Sequence, residues 1–273
     1  MSAERTAVIT GASTGIGEAA ARRLARERGY RLVLVARREE RLSALARELG
    51  RATVLAVDLT RREAPLQVRE LLEREHGGQI HLLVNNAGAA WRGTFAETGW
   101  VNVERHMKLN FEAPVRLTEA LLPLLRATAR TRAGNGPVAV VNVGSTASRV
   151  SRPGSGAYSA SKFALAGWTD ALRAEEQPHR VHVGLVLPGF VATEGFPATE
   201  LRARALTRWI VSSPGLVAEA IVEAGPGGKT ERYVPRPYWL AAAARLLAPG
   251  LVRRAIAGGS FTTATGSDQL DAD

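Results

Sequence analysis

Cysteine is absent from the 273 residues of this chain, which excludes disulfide bonds, thiolate nucleophiles and cysteine-ligated metals. The five histidines show neither an HExxH motif nor another metal-ligand spacing, so we expect no metal site. The first strand-like run begins near Thr6, which leaves no room for a charged region followed by an apolar secretory segment. We therefore expect a cytoplasmic protein.

Lysine is scarce, although the chain is strongly basic. The formal net charge is +10, and 33 of the 36 basic residues are arginine. These arginines are spread over almost every segment and form no basic stripe interleaved with aromatic residues, which is the pattern that nucleic-acid binding favours. We therefore expect no nucleic-acid partner.

Short β-branched runs alternate with helical patterns from residue 6 to about residue 234, as is typical of a parallel sheet with helices on both faces. Seven strands are predicted, at residues 7–10, 31–36, 53–57, 81–85, 138–142, 181–187 and near 232–234. The predicted helices cover residues 16–28, 39–49, 65–75, 101–109, 114–130, 158–176 and 216–224. Because parallel crossovers are right-handed, the pattern predicts an α/β fold with a doubly wound, Rossmann-type parallel sheet.

Three stretches lie outside this alternation. Residues 188–215 form a long connection of the kind that often serves as a binding lid. Residues 238–257 read as two apolar helical pieces broken at Pro249-Gly250. We expect residues 1–237 to form one Rossmann-type domain, 238–257 a helical extension packed on it, and 258–273 a disordered tail.

A glycine-rich segment, TGASTGIG at residues 10–17, follows the first strand and opens the first helix. Glycines here let the backbone turn sharply and approach a pyrophosphate, whose charge the helix N-terminal amides meet. The second strand is followed by Arg37 and Arg38 rather than by a carboxylate that would bind the ribose of NAD. A guanidinium can pair with the 2′-phosphate of NADP, so we expect NADP(H) as cofactor, with Arg37 as the main contact. The alternative is that both arginines are simply solvated.

Tyr158 and Lys162 lie four residues apart near the start of a predicted helix, so their side chains share one face. A free phenol has a pKa of about 10 and is a poor base at neutral pH. A nearby ammonium and an oxidised nicotinamide would favour the phenolate, and acid/base catalysis works best when the pKa is close to the operating pH. We therefore predict that Tyr158 is a general acid/base whose pKa is lowered by Lys162.

Together these motifs resemble those of the short-chain dehydrogenase/reductase family, over residues 6 to about 195. TGASTGIG is similar to the family's cofactor loop, VDLT at 57–60 to its adenine contact, and NNAG at 85–88 to the segment after its fourth strand. Ser145 and Asn110 match the other two members of its catalytic tetrad. Pro188-Gly189 followed by Thr193 resembles the segment that holds the nicotinamide amide.

The resemblance implies a division of roles. Tyr158 would exchange a proton with the substrate oxygen as hydride moves to or from the nicotinamide, while Ser145 would hydrogen-bond that oxygen. Lys162 would bind the nicotinamide ribose, and Asn110 would hold a water in a proton relay. Asn85 would be structural, through its backbone. The expected cofactor-binding residues are Gly11, Ser13, Thr14, Gly15, Ile16, Gly17, Arg37, Arg38, Asp58, Leu59, Asn86, Ala87, Gly88, Tyr158, Lys162, Pro188, Gly189, Val191 and Thr193.

Aromatic residues lie on the three segments expected around the nicotinamide, and they could line an apolar substrate pocket or pack in the core. With Ser145, the candidates are Trp91, Phe95, Phe190, Phe196 and Trp209. The sequence departs from the family pattern in two places. Gly144 stands where a serine is common and would slightly loosen the loop that holds Ser145, and residues 127–137 look like an insertion that lengthens a surface turn.

We thus predict an NADP(H)-dependent ketoreductase or alcohol dehydrogenase that acts on a mainly apolar small molecule and forms a homodimer or homotetramer. Dehydratase or epimerase chemistry is one alternative, and a nonenzymatic NADP-binding sensor or scaffold is another. The C-terminal helices could cap the pocket or a subunit interface, or lie on a membrane surface. We favour capping over peripheral membrane contact.

Overall fold

The computed structural model describes residues 4–27, 29–131, 137–194 and 211–258. Nine strands are present in this part of the chain: Arg5–Thr10 (β1), Tyr30–Ala36 (β2), Ala52–Ala56 (β3), Leu82–Asn85 (β4), Val138–Val143 (β5), Val181–Pro188 (β6), Phe190–Val191 (β7), Val211–Ser212 (β8) and Glu231–Val234 (β9). Seven of them form one parallel sheet in the order β3-β2-β1-β4-β5-β6-β9, and β7 pairs with β8. The predicted doubly wound α/β sheet is therefore confirmed.

The helices of the same ranges cover both faces of this sheet. They are Gly15–Ala25 (α1), Glu39–Leu49 (α2), Ala64–His76 (α3), Phe95–Met107 (α4), Ala113–Thr131 (α5), Gly156–Glu176 (α6), Pro214–Ala224 (α7), Tyr238–Leu247 (α8) and Pro249–Gly258 (α9). One core cluster packs α1, α2 and α7 on the sheet, and the other packs α3, α5 and α6. Since β1 and β4 are neighbours in the middle of the sheet, the chain switches direction there and opens a crevice at their carboxyl ends.

The largest difference from the predicted helices lies between α4 and α5. The sequence predicted separate helices at 101–109 and 114–130, whereas the structure joins them through a π-helical turn, Lys108–Glu112. Pro114 explains the irregular turn, because it has no N–H to donate to the carbonyl of Asn110 four residues earlier. At its other end α4 begins at Phe95 and is kinked at Gly99, whose φ of 57° is left-handed.

Two predicted boundaries move for a similar local reason. Helix α1 ends at Ala25 rather than at 28, before the turn at Gly29 with φ 97° that leads into β2; residue 28 lies outside the described residues. The stretch at 127–137 was predicted to be an inserted surface turn, but α5 continues to Thr131. The next five residues, 132–136, are again not among those described.

The C-terminal extension forms the two predicted helices, α8 and α9, and the second of them includes Gly258, which was predicted to begin the tail. The remainder of that tail, 259–273, falls outside the described residues. Three leucines of the extension are strongly exposed: Leu246, Leu247 and Leu251. Within the described ranges, no helix is both long and apolar enough to cross a membrane.

Candidate active site

The glycine loop between β1 and α1 leaves no room for side chains at its turns. Gly11 and Gly15 have φ of 66° and 59°, a region that favours glycine. A Cβ on Gly17 would stand 2.2 Å from the carbonyl oxygen of Gly11. The side chain of Thr14, the residue before α1, makes no capping hydrogen bond to that helix. The loop therefore presents bare backbone and a helix N-terminus, which is the arrangement that binds phosphate groups.

Thr10, which the sequence analysis did not single out, ties this loop to the NNAG segment. Its Oγ1 accepts the N–H groups of Asn86 at 2.9 Å and Ala87 at 3.0 Å, and it donates to the carbonyl of Val84 at 3.1 Å. In return, Nδ2 of Asn86 donates to the Thr10 carbonyl at 2.9 Å. The two predicted cofactor segments are thus held against each other at the direction switch of the sheet.

The three charged residues predicted to bind the adenosine half lie at the ends of β2 and β3. Arg37 and Arg38 are both exposed, and Nη2 of Arg38 donates to Oγ1 of Thr14 at 3.0 Å. Burial raises the pKa of Asp58, but two hydrogen bonds from Thr60 and the charge of Arg37 outweigh it and leave this pKa below its ordinary value. The adjacent Leu59 is buried in the core cluster of α3, α5 and α6.

Lys162 of α6 is buried against the carboxyl end of β5, where its Nζ donates to the carbonyl of Val143 at 2.9 Å. Burial lowers its pKa to about 8. A Cβ on Gly88 would stand 3.4 Å from this Nζ and 2.9 Å from Oδ1 of Asn110. The structure therefore brings together three residues that were predicted from separate motifs: Gly88, Asn110 and Lys162.

Asn110 uses its side chain to hold the segment after β4. Its Oδ1 accepts the N–H of Ala89 at 3.0 Å, and its Nδ2 donates to the Ala89 carbonyl at 2.9 Å and to Oγ of Ser161 at 3.1 Å. Protein groups therefore hold both the oxygen and the nitrogen of this side chain. The main-chain carbonyl of Asn110 lies in the π-helical turn, where Pro114 has no N–H to donate to it, so this carbonyl is available to a water.

Ser145 lies directly after β5 and is buried. Its Oγ accepts the N–H of Ala147 at 3.1 Å, and its own N–H donates to Oγ of Ser148 at 3.2 Å. The preceding Gly144 was predicted to loosen this loop, which stays a prediction, and the structure shows a packing reason for the glycine. A Cβ there would stand 3.0 Å from Leu187 and 3.1 Å from Oγ of Ser148, so the glycine allows close packing.

Tyr158, in the first turn of α6, has a half-buried side chain next to Ser145. Burial raises its pKa; a hydrogen bond with Ser145 and the charges of Arg152 and Arg92 act in the opposite direction without cancelling it. The sequence predicted a lowered pKa caused by Lys162. In the structure the Lys162 ammonium is 6.0 Å from the Tyr158 ring centroid, and burial dominates the pKa of the phenol.

His106 is a neighbour of the site that sequence reasoning missed. It is fully buried on α4, and its ring meets the ring of Tyr158 edge-on with centroids 6.0 Å apart. Burial lowers the pKa of His106. The spacing of the buried residues of α4 would have marked His106 as a core position. Only the packing of α4 on α6 brings it to Tyr158.

The predicted aromatic pocket residues separate into three groups. Trp91 packs beside His106, with ring centroids 4.9 Å apart, and Phe190 lies under the guanidinium of Arg152 at 4.7 Å. Phe95 is 71% exposed at the start of α4, so the structure does not bring it to Tyr158 as a buried pocket wall. The other two candidates, Phe196 and Trp209, lie outside the described residues.

The segment after β6 borders the site and joins Ser145 to the glycine loop. Pro188 and Val191 are buried, and the Pro188 carbonyl accepts Oγ–H of Ser145 at 3.4 Å. A Cβ on Gly15 would touch Cγ2 of Thr193 at 3.1 Å, so this segment reaches the start of α1. A Cβ on Gly189 would stand 2.2 Å from the ring of Tyr238.

Asn85 has the structural role that the sequence suggested, but through its side chain. Its Nδ2 donates to Oγ1 of Thr118 at 3.0 Å and to Oδ1 of Asn142 at 2.9 Å. These bonds link β4 to α5 and β5 beneath the site. In the part of the chain that the structure describes, no group of three His, Cys, Asp or Glu residues could hold a metal ion.

Comparison with known proteins agrees with this geometry. The family model described as short chain dehydrogenase matches residues 5–202. The chain is 33% identical over 201 residues to Dehydrogenase/reductase SDR family member 7B of Danio rerio, covering 70% of this chain and 62% of that protein. It therefore spans about three fifths of the length of that curated relative.

Two further similarities cover more of the chain. Ketoacyl reductase HetN of Nostoc sp. is 32% identical over 231 residues, which is 83% of this chain and 77% of that protein. A crystal structure of a short chain dehydrogenase from Burkholderia cenocepacia J2315 in complex with NADP superposes with a TM-score of 0.76 at 26% identity. That match covers 93% of this chain and 98% of the other.

Proposed function

The chain belongs to the short-chain dehydrogenase family, and on that premise we propose that it is an NADP(H)-dependent oxidoreductase that interconverts an alcohol and a carbonyl group. One observation carries the proposal: Ser145, Tyr158 and Lys162 converge at the carboxyl end of β5. Two hydroxyls beside a buried ammonium can position a substrate oxygen and exchange its proton. The name of the Nostoc relative, a ketoacyl reductase, supports carbonyl reduction as the reaction.

The crevice beside this group fits a dinucleotide, because Gly11 and Gly17 leave bare backbone at the start of α1. We assign the pyrophosphate to residues 11–17, the adenosine 2′-phosphate to Arg37 with Arg38 beside it, and the adenine to residues 58–59. The nicotinamide half falls to residues 86–88, Tyr158, Lys162 and the segment 188–193. When bound, the nicotinamide supplies or accepts the hydride. The NADP complex of the Burkholderia relative supports the choice of NADP.

Tyr158 is the proton donor of the proposed reaction. Because burial raises its pKa, the phenol keeps its proton at neutral pH and can give it to the oxygen of a carbonyl that is being reduced. Ser145 hydrogen-bonds the same oxygen. Oxidation of an alcohol would need the phenolate, so we propose that the rate of alcohol oxidation rises with pH.

Proton return to Tyr158 would pass along α6 and the π-helical turn. Lys162, with a pKa of about 8, is largely protonated at neutral pH and can donate toward the phenol or to a water. We assign that water to the carbonyl of Asn110 rather than to its amide, since the amide is occupied by Ala89 and Ser161.

The C-terminal extension is proposed to cap the substrate site. The ring of Tyr238, at the start of α8, packs on Gly189 beside the active-site loop. We also propose a homo-oligomer, supported by three exposed apolar side chains on the neighbouring helices α4 and α6: Trp100, Val101 and Phe163. Val101→Glu should lower the mass measured by light scattering if this face is the interface.

The proposed function is tested by NADPH oxidation with a panel of ketones and aldehydes. Tyr158→Phe should lower kcat by about 10³-fold, a much larger change than the change in NADPH affinity measured by tryptophan fluorescence. Tyr233→Phe serves as the matched control, because Tyr233 lies on β9 beside Glu231 and not at Ser145. NADPH binding without turnover of any carbonyl compound would favour a nonenzymatic sensor instead.

A further inference from the structure

Two arginines, Arg92 and Arg152, lie on loops that meet near Tyr158. Arg92 lies in the loop after β4, and Arg152 lies in the loop between β5 and α6. The N–H of Gly93 donates to the carbonyl of Gly154 at 3.1 Å. This bond holds the two loops side by side within two residues of each arginine, and both guanidinium charges act on the Tyr158 phenol.

Arg152 also reaches the loop that follows β6. Its guanidinium lies over the ring of Phe190, 4.7 Å from the centroid, and it interacts electrostatically with the phenol of Tyr238. The side chain is half-buried. Within the described ranges, no Asp or Glu forms an ion pair with it. The ring of Phe190, rather than a carboxylate of the described residues, therefore packs against this cation.

Burial lowers the pKa of both Arg92 and Arg152, and the charge of Arg92 lowers the pKa of Arg152 further. A partly buried guanidinium with no carboxylate of the described residues against it, as at Arg152, is unfavourable unless a bound anion neutralises it. The planar guanidinium fork matches the oxygens of a carboxylate or phosphate and binds either of them bidentately. The pair stands where the substrate, and not the adenosine end of a dinucleotide, would lie.

We propose that Arg152, with the charge of Arg92 beside it, binds an anionic group of the substrate, a carboxylate or a phosphate ester a few bonds from the carbonyl carbon that is reduced. This inference rests on the proposed function, because Ser145 and Tyr158 define where the reacting oxygen lies. It narrows the substrate class to oxo acids or oxo phosphates. Neutral ketones of the same shape are poorer substrates.

A different role for the same charges would be to stabilise the Tyr158 phenolate alone. In that case the arginines would change the pH profile equally for charged and neutral substrates. In the proposed role they discriminate between an anion and its neutral analogue. Matched substrate pairs therefore separate the two roles.

The experiment compares kcat/KM for two such pairs with NADPH. The carboxylate arm uses 2-oxo-4-phenylbutanoate and its ethyl ester, and the phosphate arm uses dihydroxyacetone phosphate and dihydroxyacetone. In at least one arm the anion should be preferred by tenfold or more, mainly through KM. Arg152→Gln should remove that preference, Arg152→Lys should restore part of it, and Arg92→Gln should weaken it. The control is Arg69→Gln on α3, where the arginine pairs with Glu73 on the surface. It should leave kcat/KM unchanged for both members of each substrate pair.

The outcomes are separable from those of the proposed function. Reduction of the neutral members with no anion preference and no effect of Arg152→Gln would overturn the anion site and leave the oxidoreductase intact. If no compound is reduced, binding is followed by tryptophan fluorescence with 2-oxo-4-phenylbutanoate and dihydroxyacetone phosphate. Binding that Arg152→Gln abolishes would then keep the anion site while the proposed reaction fails, and equal binding by both proteins would overturn it.

Discussion

His106 and Trp91 are joined twice: the backbone N–H of Trp91 donates to Nε2 of His106 at 3.0 Å, and the two rings meet edge-on with centroids 4.9 Å apart. Nδ1 of His106 lies 2.7 Å from the carbonyl of Asn102. Since Nε2 accepts, the proton is on Nδ1 and the imidazole is neutral. The ring thus separates Tyr158 from Trp91 and holds the loop that carries Trp91.

Replacing His106 tests that role. His106→Phe keeps a ring but leaves the N–H of Trp91 without its acceptor, which should lower the free energy of unfolding by about 1–3 kcal/mol in urea titrations and raise KM for the carbonyl substrate. His106→Gln can still accept this N–H and should recover part of both losses. Equal stability of the wild type and His106→Phe would show that the bond does not hold the loop.

Lys162 should make stability depend on pH. Burial lowers its pKa to about 8 from the ordinary 10.5, so between these values the unfolded chain binds more protons than the folded one. The free energy of unfolding therefore rises with pH across this window, by no more than about 3.5 kcal/mol at about 1.4 kcal/mol per pKa unit. Lys162→Met should lack this rise. Parallel curves for the two proteins between pH 7.5 and 10 would argue against a buried, titrating Lys162.

Gly17 should tolerate no side chain. A Cβ there would stand 2.2 Å from the carbonyl of Gly11 and 2.6 Å from Nδ2 of Asn86, so Gly17→Ala must displace the loop backbone. We expect NADPH affinity, measured by tryptophan fluorescence, to fall at least tenfold. Gly50→Ala is the control, since nothing lies within 4 Å of a Cβ at that surface turn, although its φ of 73° costs some stability. Wild-type affinity in Gly17→Ala would mean that the loop does not cradle the pyrophosphate.

Arg37 and Arg38 should contribute unequally to the choice of cofactor. The charge of Arg37 acts on Asp58, whereas Arg38 is bonded to Ser13 and Thr14 of the glycine loop. Arg37→Ala should therefore reduce the preference for NADPH over NADH at least tenfold, by removing the partner of the 2′-phosphate. Arg38→Ala should weaken the binding of NADPH and of NADH to a similar extent. Isothermal titration calorimetry of both variants with both nucleotides measures these affinities. An unchanged preference in Arg37→Ala would mean that another residue binds the 2′-phosphate.

Much of the fold could be predicted because the strands are fully buried. Uninterrupted β-branched runs between helical patterns, such as those of β2 and β5, are typical of buried strands. All seven predicted strands occur within about two residues of their predicted ends. Helix α2 matches its predicted bounds, Glu39–Leu49. The prediction of two separate helices failed between α4 and α5. The cause is the missing backbone N–H of Pro114, and the periodicity of apolar residues carries no information about a missing hydrogen bond.

The candidate site divides in the same way. Sequence alone determined the residues whose spacing is local: the glycine loop, the Tyr158–Lys162 pair on one helical face, and the cationic end of β2. Their catalytic and binding roles stay predictions. Tertiary structure decided which distant groups surround Tyr158, because His106, Arg92 and Arg152 reach it from three separate loops and helices. It also decided the sign of the Tyr158 pKa shift, since burial depends on everything packed around a group and not on its neighbours along the chain.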